Sequence, residues 1–498
     1  MRFFLNIVLL LCFISAAAQK ENKIEILNAN TMEYNKNLGN GAQRLLGDVQ
    51  FKHNNMLMYC DSAYYYAGAD SLHAFSNIHM IQGDTLHLWG NFLRYDGNTG
   101  LAQVRRNVKM VDRDATLTTE FLDYDLNTKI GYYYNGGNIV NKENHLKSEK
   151  GYYHSKTKDF YFRHKVCVTN KRDTILSDTL KYNTVTRISY FFGPTQIYNN
   201  NSYIYCENGW YNTATDISEF KKNAYLKNKT QILKGDSIYY DGKNKMGRAW
   251  RNVELIDTSR NMTLKGRYGY YLEKDEFGFM TDSALMINYD EKDTLYLHAD
   301  TLITRLDSTK KNKNMKAYHK VKFFRNDMQG KCDSLEYTQA DSTMRMFVMP
   351  ILWANENQLT GEYIEVFFAN GQMHKAKLYT TPFIVSKEDN TKYNQVRGKL
   401  MTGYFRDNRL YKIVVNGNGQ TIYYPKDKDE LIGVNKAECT DMIIHVVDNK
   451  VKSIDFMNNP DALLTPVDQI SSNDLILKGF VWFEQYRPLK MTDIFKKD

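Results

Sequence analysis

Six tyrosines, Tyr95, Tyr124, Tyr153, Tyr182, Tyr211 and Tyr240, follow one another at a constant interval of 29 residues. An interval of this kind requires one short structural unit used repeatedly, because chance does not hold six positions in register. Tyr34, Tyr65, Tyr271 and Tyr337 extend the series with small changes of spacing. Each tyrosine closes the same phrase: an apolar residue, a free position, a small residue, an acid or Asn, a free position, an apolar residue or Gly, a free position, then Tyr. Leu117, Thr119, Glu120, Leu122 and Tyr124 form one copy, and Leu233, Gly235, Asp236, Ile238 and Tyr240 form another. Leu27, Ala29, Asn30, Met32 and Tyr34 form the first, while later copies drift and end at Thr304 and Val366.

A second phrase follows 12 to 14 residues after the tyrosine, as in Asn77-Ile78-His79-Met80, Asn107-Val108-Lys109-Met110 and Asn252-Val253-Glu254-Leu255. Gly47 to Phe51 and Lys320 to Phe323 are variants of it. Alternation with period two marks a strand with one buried face. Turn residues such as Asp96-Gly97-Asn98 and Asp241-Gly242-Lys243 separate the phrases, so each unit supplies two strands and two turns. Within the tyrosine phrase the apolar parity slips by one residue, which calls for a bulge, and the small residue beside the acid is its expected place. The acid is expected to face water.

A unit this short cannot bury its own apolar face, whereas stacked copies share one core. The fold expected is all-β, an elongated β-jellyroll or β-solenoid. About twelve units at roughly 4.8 Å per rung give a length on the order of 60 Å. Only Pro194 precedes residue 350 and the other six prolines follow, so residues 19–370 suit one uninterrupted β structure. Residues 371–498 keep a looser unit, with turns at Asn370-Gly371, Asp407-Asn408 and Asp448-Asn449 and a charged insertion at Lys426 to Glu430. They are expected to continue or cap the repeats.

Residues 1–18 read as an export signal: Arg2 is the basic start, Leu5 to Ile14 the apolar stretch and Ala16-Ala17-Ala18 the cleavage site. Bulky Leu10, Leu11 and Phe13 beside Cys12 do not suit a lipid-attachment site. No later stretch has the roughly 18 apolar residues needed to cross a bilayer as a helix, and mean hydropathy is −0.57. The net charge of +9, reduced to +8 without Arg2, is too dilute to argue for nucleic acid.

Chemistry-bearing patterns are weak. Cys60, Cys206 and Cys332 occupy the small-residue position of their units and read as core residues; Cys167 and Cys439 are not placed by that rule, and a bridge between them is left open. Histidines such as His73, His79, His87, His145, His154 and His164 lack the close pairing of zinc ligands, so no metal or cofactor is expected. Eleven near-equivalent acids cannot all be active-site carboxylates, and no nucleophile elbow, phosphate loop or dinucleotide fingerprint occurs. A carbohydrate-active β-helix enzyme would need a local acid cluster that breaks the repeat, and none does.

Arg106-Asn107-Val108-Lys109-Met110 and Leu233-Lys234-Gly235-Asp236-Ser237-Ile238-Tyr239-Tyr240, alternating behind an export signal, resemble the OstA-like, LptA-type family of lipopolysaccharide-transport proteins. The resemblance spans Lys23 to Asn370 well and the remainder weakly. It implies a β-jellyroll that holds lipid acyl chains in an apolar groove, without catalysis. It also implies lipopolysaccharide, other Lpt-type proteins joined end to end by strand pairing, and an outer-membrane translocon as partners in the periplasm. The residues expected to face lipid are Val108, Met110, Leu117, Leu122, Tyr124, Ile238, Val253 and Leu255. The chain departs from the family pattern in having more units than one bridge module and no long series of membrane strands at its end. The rival expectation is a structural or adhesive β-solenoid with a filled interior and no lipid.

Overall fold

A computed structural model describes residues 23–34, 41–199, 202–290, 293–309, 311–427, 430–448 and 450–497. The export signal expected at 1–18, with Cys12, lies outside the described residues. The fold is all-β and jellyroll-like; among the described residues there is no α-helix, only short 3-10 turns. The chain divides into two compact units, the first ending at Ser189 and the second beginning at Tyr190.

In the first unit the long strands pair with their chain neighbours, antiparallel throughout. Gln43–His53 pairs with Met56–Tyr66, that strand with Ser71–Gln82, then Leu86–Asp96, Leu101–Asp112 and Ala115–Asp125. Shorter strands from Ile130 to His154 and the pair Asp159–Thr169 with Asp173–Asn183 complete it. A 29-residue unit therefore advances the ladder by two strand spacings, not the single rung expected. The reason is that its two phrases form an antiparallel hairpin.

Nearly every strand bends at one place. Arg106 and Asn107 both have positive φ, 63° and 52°, the backbone of a type I′ turn set inside a strand. The same pair recurs at Gly47-Asp48, Ser76-Asn77, His164-Lys165, Lys222-Asn223, Arg251-Asn252 and His319-Lys320. The register jumps there, from Arg105 opposite Phe121 to Val108 opposite Thr119. The bulge thus lies on the asparagine strand and not beside the acid of the tyrosine strand, where it was expected. Asn, Gly and Asp tolerate the left-handed conformation, and the small residue on the facing strand follows the bend.

The acid has a partner as well as water. Asn77 donates to Asp61 at 2.8 Å, Asn223 to Glu207 at 2.8 Å and Asn252 to Asp236 at 3.1 Å, so an amide and a carboxylate clasp neighbouring strands across these three bends. Prolines also gather at bends, where ladder donors are not required: Pro194 follows Gly193, Pro350 follows Val348-Met349, Pro382 follows Thr380-Thr381 and Pro460 follows Asn458-Asn459, all preceding residues having positive φ.

The second unit repeats the scheme from Tyr203–Asn212 through Met328–Thr338. The turn at Asn370-Gly371 joins the paired strands Tyr363–Ala369 and Gln372–Tyr379, so the ladder runs on past residue 370. The charged insertion forms a two-stranded pair, Lys426–Asp427 with Glu430–Leu431. Beyond Thr465 the chain runs over the outer face of this unit. Gln395 donates to the carbonyl of Leu475 and accepts from the amide of Leu477; Gln358 does the same with Val481 and Phe483. Ile494 packs between Leu285 and Ile287.

Candidate functional site

The bend decides what the interior contains. Leu117 and Thr119 before it, and Leu122 and Tyr124 after it, are all buried, so both halves of a bent strand turn apolar residues toward one interior. Of the residues expected to face lipid, Val108, Met110, Leu117, Leu122 and Tyr124 lie inside the first unit with relative exposures of 0 to 1%. Met110 stands opposite Leu117, Val104 opposite Leu122 and Ala102 opposite Tyr124. Burial of each leucine is worth about 2 kcal/mol. Ile238, Val253 and Leu255 belong to the second unit, where the first two are buried and Leu255 is half-buried.

Sequence reading missed how the first unit closes. Tyr153 shares an inner row with Tyr124 through Gly131, at the end of the ladder where Leu101 begins its strand. Its hydroxyl nevertheless donates to Asp112, which ends that strand on the opposite side, at 2.6 Å. The bent ladder thus brings its two edges together. Tyr65 donates to the carbonyl of Ile24, Tyr95 bonds His53, Tyr124 donates to Gln82 and Tyr182 to Asn141, each across 41 or 42 residues. Lys158 joins Asp112 at 2.6 Å. Burial pushes the Tyr124 phenol up to about 12 and the phenols of Tyr95, Tyr153 and Tyr182 upward, so these hydroxyls stay protonated donors. The constant separation of 41 to 42 residues was the signal available in the sequence. Tyr133 fills the space over inner glycines: a Cβ on Gly137 or Gly151 would come within 2.5 Å of its ring or hydroxyl.

The second unit is not closed in this way between Ile217 and Leu272. Its inner leucines Leu226, Leu233 and Leu255 are half-buried, as are Tyr240 and Tyr271. Those two phenols have no hydrogen-bond partner among the described residues. Gly247 pairs with both tyrosines, and a Cβ placed on it would meet nothing within 4 Å. Gly235, Ile238, Ala249 and Val253, near the bend, remain buried.

Beyond the tyrosine ties, the structure corrects the reading of the histidines and places the cysteines that were left open. His79 and His87 are not scattered: their ring nitrogens lie 3.1 Å apart on an outer face, stacked with Trp89, because they are diagonal neighbours on paired strands. No group of three metal-ligating side chains occurs among the described residues. All five described cysteines are free, so Cys167 and Cys439 are not bridged. Cys439 also proves to sit at a bend, between buried Ala437 and Met442, as Cys60, Cys206 and Cys332 do. Burial pushes the thiols of Cys60, Cys206 and Cys332 up to about 12. A polar groove lies outside the bend of the first unit, lined by Asn107, Glu120, Lys147, Glu149 and Lys165.

Among the described residues no helix is long and apolar enough to cross a membrane. The crystal structure of LptH, the LptA homologous periplasmic component of the lipopolysaccharide transport device from Pseudomonas aeruginosa, aligns with 22% of this chain and 81% of its own at 14% identity, with a TM-score of 0.21. No curated protein matches the chain. The family model described as OstA-like protein matches residues 21–178 and 163–236, and that described as LptA/(LptD N-terminal domain) LPS transport protein matches 291–372. With these matches falling on the repeated, bent hairpins, the chain belongs to the OstA-like family of lipopolysaccharide-transport proteins.

Proposed function

We propose that the chain is a periplasmic, non-enzymatic carrier that holds lipopolysaccharide acyl chains against its apolar interior and helps move them toward the outer membrane. In this reading it pairs strands with other Lpt-type proteins and delivers to an outer-membrane translocon. Residues 19–370 carry the repeats and 371–498 continue or cap them. The observation that carries the reading is the bend, which turns the apolar residues of both strand halves to one side and makes an interior suited to hydrocarbon. An acyl chain leaving water for such a surface gains about 0.8 kcal/mol per CH₂.

The filled, tyrosine-tied interior of the first unit favours a second reading, in which the repeats are a structural solenoid without cargo. Mass spectrometry of protein purified without detergent separates the two. Acyl-chain lipid in amounts comparable to the protein is expected for a carrier; lipid-free protein would leave the structural reading.

A further inference from the structure

We propose that acyl chains seat in one stretch of the interior, over Gly247 between the strands Gln231–Asp241 and Met262–Leu272, and not along the first unit. The proposal rests on the lipid-carrying reading above and narrows it to a site. Four observations on equivalent positions of the repeat support it.

The first is the leucine row. Leu233 faces Leu255 across paired strands as Met110 faces Leu117, yet Met110 and Leu117 are each 1% exposed while Leu233 and Leu255 are half-buried. The second is the tyrosine row. Tyr240 and Tyr271 occupy the places of Tyr95 and Tyr124, but their hydroxyls have no bond among the described residues to tie the edges together. Third, Ala102 lies between Tyr95 and Tyr124 and is fully buried, whereas Gly247 lies between Tyr240 and Tyr271 and faces open space. Fourth, the floor stays shut, with Gly235, Ile238, Ala249 and Val253 buried.

Together these make a slot with a closed apolar floor, leucine on one wall and phenols on the other. A hydrocarbon chain fits the floor and the leucine wall by burial alone. The free hydroxyls of Tyr240 and Tyr271 suit the ester and hydroxyl oxygens found where an acyl chain meets its headgroup. In the first unit the equivalent volume is occupied by the protein's own side chains, and entry there requires several buried hydrogen bonds to open together.

The test places a leucine-sized diazirine amino acid at Leu233, Leu255, Met110 or Leu117 of the full chain and irradiates it with purified lipopolysaccharide. Adduct yields about tenfold higher at Leu233 and Leu255 than at Met110 and Leu117, a difference worth about 1.4 kcal/mol, are expected. Equal yields in the two sets, or adducts in the first unit alone, would overturn the assigned site while leaving a carrier. Adducts nowhere would remove both the site and the carrier reading. Gly247→Leu, whose side chain enters empty space, is expected to abolish most of the Leu255 adduct without lowering the melting temperature. Unchanged labelling in that folded variant would also overturn the site, and Gly247→Ala provides a milder filling if the larger residue prevents folding.

Discussion

The Tyr153 hydroxyl donates to the Asp112 carboxylate at 2.6 Å, joining two edges of a ladder whose residues lie 41 positions apart in the chain. Asp112 is buried and also holds Lys158, so this contact couples a phenol, a carboxylate and an ammonium at the rim of the first unit.

Removing that phenol tests the closure. Tyr153→Phe keeps the ring and deletes the donor, leaving Asp112 with Lys158 and Thr85. A loss of about 1 to 3 kcal/mol is expected for a buried bond to a charged group, read as a lower denaturant midpoint with unchanged slope.

Cavity-forming substitutions should distinguish the two units. Leu122→Ala removes a fully buried side chain from a packed interior and is expected to cost about 2 to 5 kcal/mol. Leu255→Ala, at a half-buried position, is expected to cost about 1 kcal/mol. Equal losses in urea unfolding would contradict the difference in packing.

Alkali should loosen the first unit. Its buried phenols titrate above the ordinary value of 10.0, with Tyr124 held up to about 12 by desolvation. A raised folded value means the unfolded chain loses its protons first, so the stabilisation is complete below pH 10 and is lost as pH rises toward 12. Phenolate absorbance and loss of strand signal should appear together, and Tyr124→Phe should reduce the steepness.

Thiol chemistry should be slow in the native state. Cys60, Cys206 and Cys332 are buried, and their thiols are held up to about 12 by desolvation, so little thiolate exists at pH 8. Half-buried Cys167 is expected to react first with maleimide, and mobility on a non-reducing gel should not change on reduction.

The bend pair has its own signature. Asn107→Gly, which relieves positive φ, should be neutral within about 0.5 kcal/mol, whereas Asn107→Val should cost about 1 to 2 kcal/mol in thermal unfolding.

Much of this architecture was legible because the buried side of a strand is written in alternate residues. The parity slip between Thr119 and Leu122 announced a bend in every unit, and the 29-residue interval announced a repeat. Which strand holds the extra residue was less legible, since both phrases carry residues that suit a bend and only backbone angles separate Arg106-Asn107 from Thr119-Glu120. The partner of three of the acids was written as a separation of 16 residues, as from Asp61 to Asn77 and from Asp236 to Asn252, but it takes the pairing of neighbouring strands to give that number meaning. The eight apolar positions could be placed inward from parity alone. Whether the space beside each is filled depends on residues from other strands, such as Tyr133 over Gly151 or, among the described residues, the lack of any atom within 4 Å of a Cβ placed on Gly247, and alternation does not encode that.

Because backbone pairing through most of the repeat joins each strand to those before and after it in the chain, and the tyrosine ties recur at a near-constant separation, duplicating or deleting one hairpin preserves the pattern of contacts. Such a gene can change its reach in increments of one module by simple recombination, without inventing a new core. It can also let one copy drift toward a specialised task while its neighbours keep their own pairing intact.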